Sequence, residues 1–164
     1  MEITVQKAAR ADVPDMLTFI NGLAAHVGHP EAVTATAETL EASIFDRQEA
    51  QVLIARCGGE AAGWALYFYN YSTFLAKRGI FMEDLFVKPA WRGKGVGREL
   101  ISALAKIALE EGCARLDWNC LDWNTGSVAF YKGMGAEVLA GESVYRLTGD
   151  SLRKAADCAG RQAT

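Results

Sequence analysis

Apolar residues recur at two different spacings along this chain, and the switches between them mark its elements. Glu2 to Ala8 alternates, with Ile3 and Val5 on one face, which predicts an opening strand. Asp12 and Pro14 stand where a helix cap and first turn belong, ahead of a stripe of Met16, Leu17, Ile20, Leu23 and Ala24. Gly28, His29 and Pro30 end that helix, and Thr36, Leu40 and Ile44 trace a second over Thr36 to Phe45. Gln51 to Arg56 and Ala61 to Tyr69 flank the turn Cys57-Gly58-Gly59-Glu60 and read as a hairpin. Ile80 to Val87 is a further strand, apolar except for Glu83 and Asp84.

The second half repeats the alternation of periods. Leu100, Ile101, Leu104, Ile107 and Ala108 give the buried face of a helix from Arg98 to Leu109 that stops at Gly112. Ala114 to Cys120 is a short strand, Ser127 to Lys132 a last helix ended by Gly133 and Gly135, and Glu137 to Leu139 with Ser143 to Leu147 a closing hairpin. From Gly149 the tail is polar and small, a frayed helix or disordered. The predicted order is β-α-α-β-β-β-α-β-α-β-β, an α/β (α+β) fold. The hairpins require antiparallel pairs and the βαβ unit a parallel one, so the sheet is mixed, mostly antiparallel, with about seven strands and about four helices. One domain spans 1–148, followed by the tail 149–164.

Bulk properties narrow the function. The chain has 164 residues, is 51% hydrophobic and carries a formal charge of -3, from 17 Lys and Arg against 20 Asp and Glu. That suits one globular domain and argues against a nucleic-acid partner, which calls for a concentrated basic face. No apolar run is long enough for a membrane span, and the first fifteen residues or so have no signal-peptide core. Cys57, Cys113, Cys120 and Cys158 lack metal-type pairing and there are two His, so no metal site is expected. The first three cysteines read as reduced, buried small side chains, and a cytoplasmic protein is the default.

The most informative stretch runs from Val87 to Leu100. A strand ends at Pro89, the turn Arg92-Gly93-Lys94-Gly95-Val96-Gly97 follows, and Arg98 opens a helix. Glycines at 93, 95 and 97 let successive backbone N–H groups converge on an anion that the helix N-terminus also attracts. The spacing is not that of a P-loop, and the turn follows the fourth strand rather than the first, unlike a Rossmann fingerprint.

The hexad resembles the Arg/Gln-x-x-Gly-x-Gly/Ala turn of the GNAT family of N-acetyltransferases. A second block, Asn124-Thr125-Gly126-Ser127-Val128-Ala129-Phe130-Tyr131-Lys132-Gly133-Met134-Gly135-Ala136, is similar to that family's other cofactor motif. The resemblance covers residues 1–148. It implies acetyl-CoA, its diphosphate on the backbone of Arg92, Gly93, Lys94, Gly95, Val96 and Gly97, with Arg98, Asn124, Ser127, Phe130, Tyr131 and Lys132 also at the cofactor. The pantetheine arm is expected against splayed strand ends at 80–88 and 114–120, with a backbone N–H near Phe86 or Val87 polarising the acetyl carbonyl.

The chemistry sets further demands. An amine must be neutral to attack a thioester, and the departing thiolate benefits from a proton. Within the resemblance Tyr131 is the general acid, packing beside Phe130 being the alternative. Glu83 interrupts an apolar strand and is favoured as the base, directly or through water; a salt-bridged structural carboxylate is the alternative. Neighbours on a strand point to opposite faces, so Glu83 and Asp84 serve one site only if a bulge intervenes; with Glu83 as base, Asp84 is a substrate-ammonium contact or a structural acid. Cys113 and Cys120 have no activator at a readable spacing and are not nucleophiles.

Tyr67-Phe68-Tyr69-Asn70-Tyr71-Ser72-Thr73-Phe74, Glu83-Asp84-Leu85-Phe86-Val87 and Trp123-Asn124 resemble the spermidine/spermine and thialysine acetyltransferases. That implies a small primary amine held by Tyr67, Tyr69, Tyr71 and Trp123 as cation–π faces and by Glu31, Glu83, Asp84 and Asp122 as countercharges. It also implies a homodimer, for which Phe68, Tyr69, Tyr71 and Phe74 suit the interface. Direct transfer in a ternary complex is expected. A peptide or protein N-acetyltransferase and a non-catalytic CoA-binding protein are the alternatives.

Overall fold

A computed structural model describes residues 2–157, so Cys158 and the end of the tail lie outside the described residues. It comprises two compact units, Met1–Asn119 and Cys120–Thr164. The first holds a five-stranded sheet in sequential order: β1 (Ile3–Lys7), β2 (Gln51–Cys57), β3 (Glu60–Ser72), β4 (Lys77–Val87) and β5 (Leu116–Trp118). The first four strands pair antiparallel, while β4 and β5 run parallel over Ile80–Met82 and Leu116–Trp118.

Helices cover both faces of that sheet. On one lie α1 (Val13–Val27) and α2 (Ala37–Glu41), the latter continuing into a π-helical turn, Ala42–Asp46. Val13, Met16 and Phe19 of α1 bury against Ile54, Trp64 and Phe86, and the Phe19 and Trp64 rings stack at 6.0 Å between centroids. α1 crosses β4 so closely that a Cβ on Gly22 would stand 2.6 Å from the Phe86 ring. Pro14 fits the first turn, and Gly28 ends the helix with φ +83°. The other face is covered by α3 (Val96–Glu110), through Val96, Leu100, Ile101, Leu104 and Ala108.

In the second unit α4 (Thr125–Lys132) is capped by Asn124, whose side chain accepts a hydrogen bond from the Ser127 N–H at 3.2 Å. α5 (Gly149–Asp157) follows and is solvent-exposed. Among the described residues no helix is long and apolar enough to cross a membrane.

The expectation of about seven strands and four helices is corrected to five strands and five α-helices among the described residues. The closing hairpin at 137–147 does not form. Its residues have strand propensity, but a strand exists only when its backbone is paired, and no ladder reaches them. Their apolar members are accordingly exposed, Tyr145 at 94% and Val144 at 77%. The extra helix is α5. Boundaries also move: α3 starts at Val96 because Gly95, at φ +91°, caps it, β5 shortens to three residues, and β3 and β4 extend to Ser72 and back to Lys77.

Candidate active site

Three features of the first unit converge along β4. Its C-terminal end feeds the glycine turn. Arg92 folds back, its Nε donating to the Val87 carbonyl at 3.0 Å with the guanidinium 5.5 Å from the Phe86 ring centroid. The Lys94 ammonium stands 4.9 Å over the Trp91 ring. Gly93 and Gly95 take φ +71° and +91°, values that side chains resist, and a Cβ on Gly93 would meet nothing within 4 Å. The first helical hydrogen bond runs from the Glu99 N–H to the Gly95 carbonyl at 3.0 Å, so the N–H groups of Val96, Gly97 and Arg98 precede it. Open space at Gly93 and N–H groups ahead of the first helical bond, at the N-terminus of a 15-residue helix, fit a diphosphate.

The second feature is a splay. β4 pairs with β5 only as far as Met82 and Trp118, and from Glu83 to Val87 its β5-facing edge has no partner strand among the described residues. Phe86 and Val87 pair with Trp64 and Gly63 on the other edge. An unpaired edge offers main-chain donors and acceptors to an amide-bearing arm such as pantetheine.

The third feature decides the acids. β3 and β4 match Leu66 with Asp84 but Tyr67 with Met82, leaving Glu83 as one extra residue, a β-bulge. Cross-strand partners share a face, so Asp84 lies with Leu66, Trp64 and Phe86 on the α1 face, and the bulge lifts strict alternation from Glu83. Glu83 is exposed and Asp84 half-buried. Neither forms an ion pair among the described residues, against the salt-bridged alternative. Burial, with Glu83 as a lesser cause, pushes the Asp84 carboxyl up to about 6.

The same register separates the aromatics. Tyr67 and Tyr69 pair with Met82 and Ile80 on the α3 face, away from Asp84. The Tyr69 hydroxyl donates to Glu111 at 2.7 Å, Arg78 reaches Glu111 at 3.1 Å, and the Arg78 guanidinium covers the Tyr69 ring at 4.6 Å. Burial, then the Glu111 bond, holds the Tyr69 phenol well above its ordinary value. Phe68 and Phe81 instead stack on Asp84's face, 5.3 Å apart. Beyond them on that face stand Asn70, Asp117 and Arg115: the Asn70 amide donates to Asp117 at 3.3 Å, and Arg115 Nε meets the same carboxylate at 2.8 Å. The periodicity gave no sign that these five share a face, because the bulge that selects the face is invisible to it.

Of the other expected residues, Glu31 is exposed and lies 3.4 Å from the His29 ring; its own backbone N–H and His29 lower its pKa. In the second unit Asp122 and Lys132 are exposed, and Trp123 is 58% exposed. The Phe130 and Tyr131 rings lie 5.3 Å apart. Burial, with Cys120 secondary, pushes the Tyr131 phenol up to about 12, so it keeps its proton at neutral pH.

The sequence profile of the acetyltransferase (GNAT) family matches residues 21–136. The chain belongs to that family. As a GNAT acetyltransferase it uses acetyl-CoA, for which the turn and the free edge of β4 provide a fitting cradle; when bound, the thioester supplies the acetyl group. The chain is 32% identical to the thialysine N-epsilon-acetyltransferase of Bos taurus over 94% of its own length and 97% of that protein's. It is 45% identical to an L-ornithine N5-acetyltransferase of Arabidopsis thaliana, over 56% of this chain and 40% of that protein. Among solved structures, an integron cassette protein from V. cholerae superposes with TM-score 0.78 at 27% identity, covering 95% of this GNAT chain and 98% of that one. An aminoglycoside acetyltransferase from an uncultured soil sample gives 0.75 at 19% identity, covering 89% and 97%, a likeness of fold.

Proposed function

We propose that this acetyltransferase, its domain spanning residues 1–148, acetylates the primary amine of a small molecule of the polyamine, diamine or lysine-like class by direct attack in a ternary complex. The observation that carries the reading is the bulge at Glu83, which sets Glu83 and Asp84, neither in an ion pair among the described residues, beside the open edge of β4. Asp84 attracts the incoming ammonium, and Glu83 takes its proton directly or through water. Tyr131, protonated at neutral pH, serves as the acid for the departing thiolate. Phe68 and Phe81 supply the apolar wall against which an alkyl chain lies.

A homodimer and a cytoplasmic location belong to the same reading. Tyr71, Phe74 and Leu75 at the tip of the β3–β4 hairpin are 61%, 100% and 57% exposed, which suits a second copy, and Cys57, Cys113 and Cys120 are free thiols. Phe74→Ser should shift the particle mass toward the monomer in light scattering. Steady-state assays of acetyl-CoA with spermidine, putrescine, lysine, thialysine and a short peptide test the activity. Saturation by a small amine with the peptide inert supports it, and the reverse pattern overturns it.

A further inference from the structure

A cleft opens where the π-helical turn meets the first two strands. We propose that it binds a small organic carboxylate with an apolar body, at a site separate from the acetyl-transfer machinery. Its volume is about 370 Å³, at the small end of the range for small-molecule sites. The apolar lining includes Ile44 and Phe45 of the turn and Val52 of β2, and the polar lining is Lys7, Gln48 and Gln51.

Two departures from ordinary backbone meet at this cleft. The Arg47 N–H reaches the Ala42 carbonyl at 2.9 Å, five residues back, and the Glu49 N–H reaches Ser43 at 3.0 Å, six back. Between them Gln48 takes φ +53°, a region that side chains resist. Wide turns and left-handed residues other than glycine are both uncommon, and both gather at functional sites. Glycine would make the same turn without the strain, so what this position gains from Gln48 is its carboxamide.

Charge selects the ligand. The acids beside the cleft are already compensated: Glu41 and Asp46 bind Arg10, and Glu49 holds Arg47 at 2.9 Å. Among the described residues the Lys7 ammonium and the Gln48 and Gln51 carboxamides have no hydrogen-bond or ion-pair partner, and the lining contains no carboxylate. One positive charge, carboxamide donors and an apolar surface complement a carboxylate carried on a hydrophobic group. An amine is repelled by Lys7, which sets this ligand apart from the acceptor. Val52 pairs with Leu66 and Leu66 with Asp84, so the cleft's inner wall stands two strands, about 10 Å, from Asp84.

Phenylacetate, phenylacetamide and acetate separate the requirements for charge and for an apolar body. In calorimetric titrations of the CoA-saturated protein, phenylacetate should bind with a Kd of about 1 mM or tighter, phenylacetamide about tenfold more weakly, and acetate not measurably. The amide resonances of residues 42–52 should shift on addition of phenylacetate. Lys7→Met should weaken phenylacetate about tenfold and erase its advantage over the amide, and Lys7→Arg should restore most of it. Gln48→Gly should raise the melting temperature yet weaken phenylacetate severalfold, a split that a purely structural turn would not give. No binding of phenylacetate, equal affinity for acid and amide, full affinity in Gln48→Gly, or shifts confined to residues 80–87 overturns the proposal. The resonance map uses the unaltered chain, so the test holds even where a Lys7 variant fails to fold.

Discussion

The two faces of the β3–β4 ribbon carry similar residues and treat them in opposite ways. On the α3 face, Glu111 is compensated by the Tyr69 hydroxyl and by Arg78. On the α1 face, Asp84 sits half-buried, beside the like charge of Glu83 and with no ion pair among the described residues. Closed networks stabilise; an open carboxylate costs stability and persists where something else needs it. The contrast supports structural work for Tyr69 and, in the function proposed above, chemical work for the bulge. It also shows why residue type alone misleads at this site: three Tyr, two Phe and two acids within twenty residues are sorted by one inserted position.

The sharpest way to break the comparison is at the bulge. Glu83→Gln keeps size and removes the base; kcat should fall about 100- to 1000-fold with the amine KM little changed. Tyr131→Phe should lower kcat somewhat less, with CoA affinity intact in a calorimetric titration. Normal turnover in both would return Glu83 to a surface acid and Tyr131 to a packing residue.

Asp84→Asn probes the same contrast through pH. The wild-type carboxyl ionises near 6 rather than its ordinary 3.8, so ammonium binding should be lost as pH falls through about 6, and the variant should show a high amine KM without that acid limb. Stability moves the other way. The folded state holds this proton more tightly than the unfolded chain, so ionising Asp84 destabilises the fold progressively as pH rises from about 4 to about 6. Above that range the asparagine variant should melt higher, by an amount on the order of 1 kcal/mol in stability. A variant that is both less active and less stable at pH 8 would contradict the open-carboxylate picture.

How much of this was legible follows from how each part is encoded. The diphosphate turn is contiguous, and its chemistry is main-chain, so Arg92 to Gly97 announce it wherever they occur. Gly95 also reports its own backbone angle, although the helix it caps begins two residues earlier than the apolar stripe suggested. The acceptor face is assembled instead from three strands, and its membership depends on register. Alternation placed Tyr67 and Tyr69 plausibly, and the need for a bulge was readable from Glu83-Asp84, but which residue is inserted is settled only by the pairing with β3. Phe68 was therefore expected at a subunit interface, and Arg115 and Asp117 carried no signal. The absent closing hairpin fails for a related reason: Val138, Leu139, Val144 and Tyr145 have strand propensity, yet propensity supplies no partner strand.

Glycine substitutions sharpen the comparison with a smaller effect. Gly93→Ala places a side chain at φ +71° in open space, so its cost is conformational, about 1 kcal/mol, with no clash. It should raise the KM for acetyl-CoA several-fold and leave amine selectivity alone. Altered selectivity would mean that the turn and the acceptor face are coupled.

The smallest expected effect is the most discriminating for the α3 face. Tyr69→Phe deletes one hydroxyl that donates to Glu111 while the ring stays under Arg78. Arg78 continues to pair with Glu111, so the carboxylate is not orphaned and the loss in stability should be about 1 kcal/mol, seen as a few degrees in melting temperature. Acceptor kinetics should not move, because Tyr69 pairs with Ile80 on the face opposite Asp84. A phenylalanine variant with unchanged melting but a raised amine KM would put the tyrosine back in the acceptor pocket. That result would require the strand to turn over between residues 66 and 69, and the bulge at Glu83 would then no longer divide the faces as described.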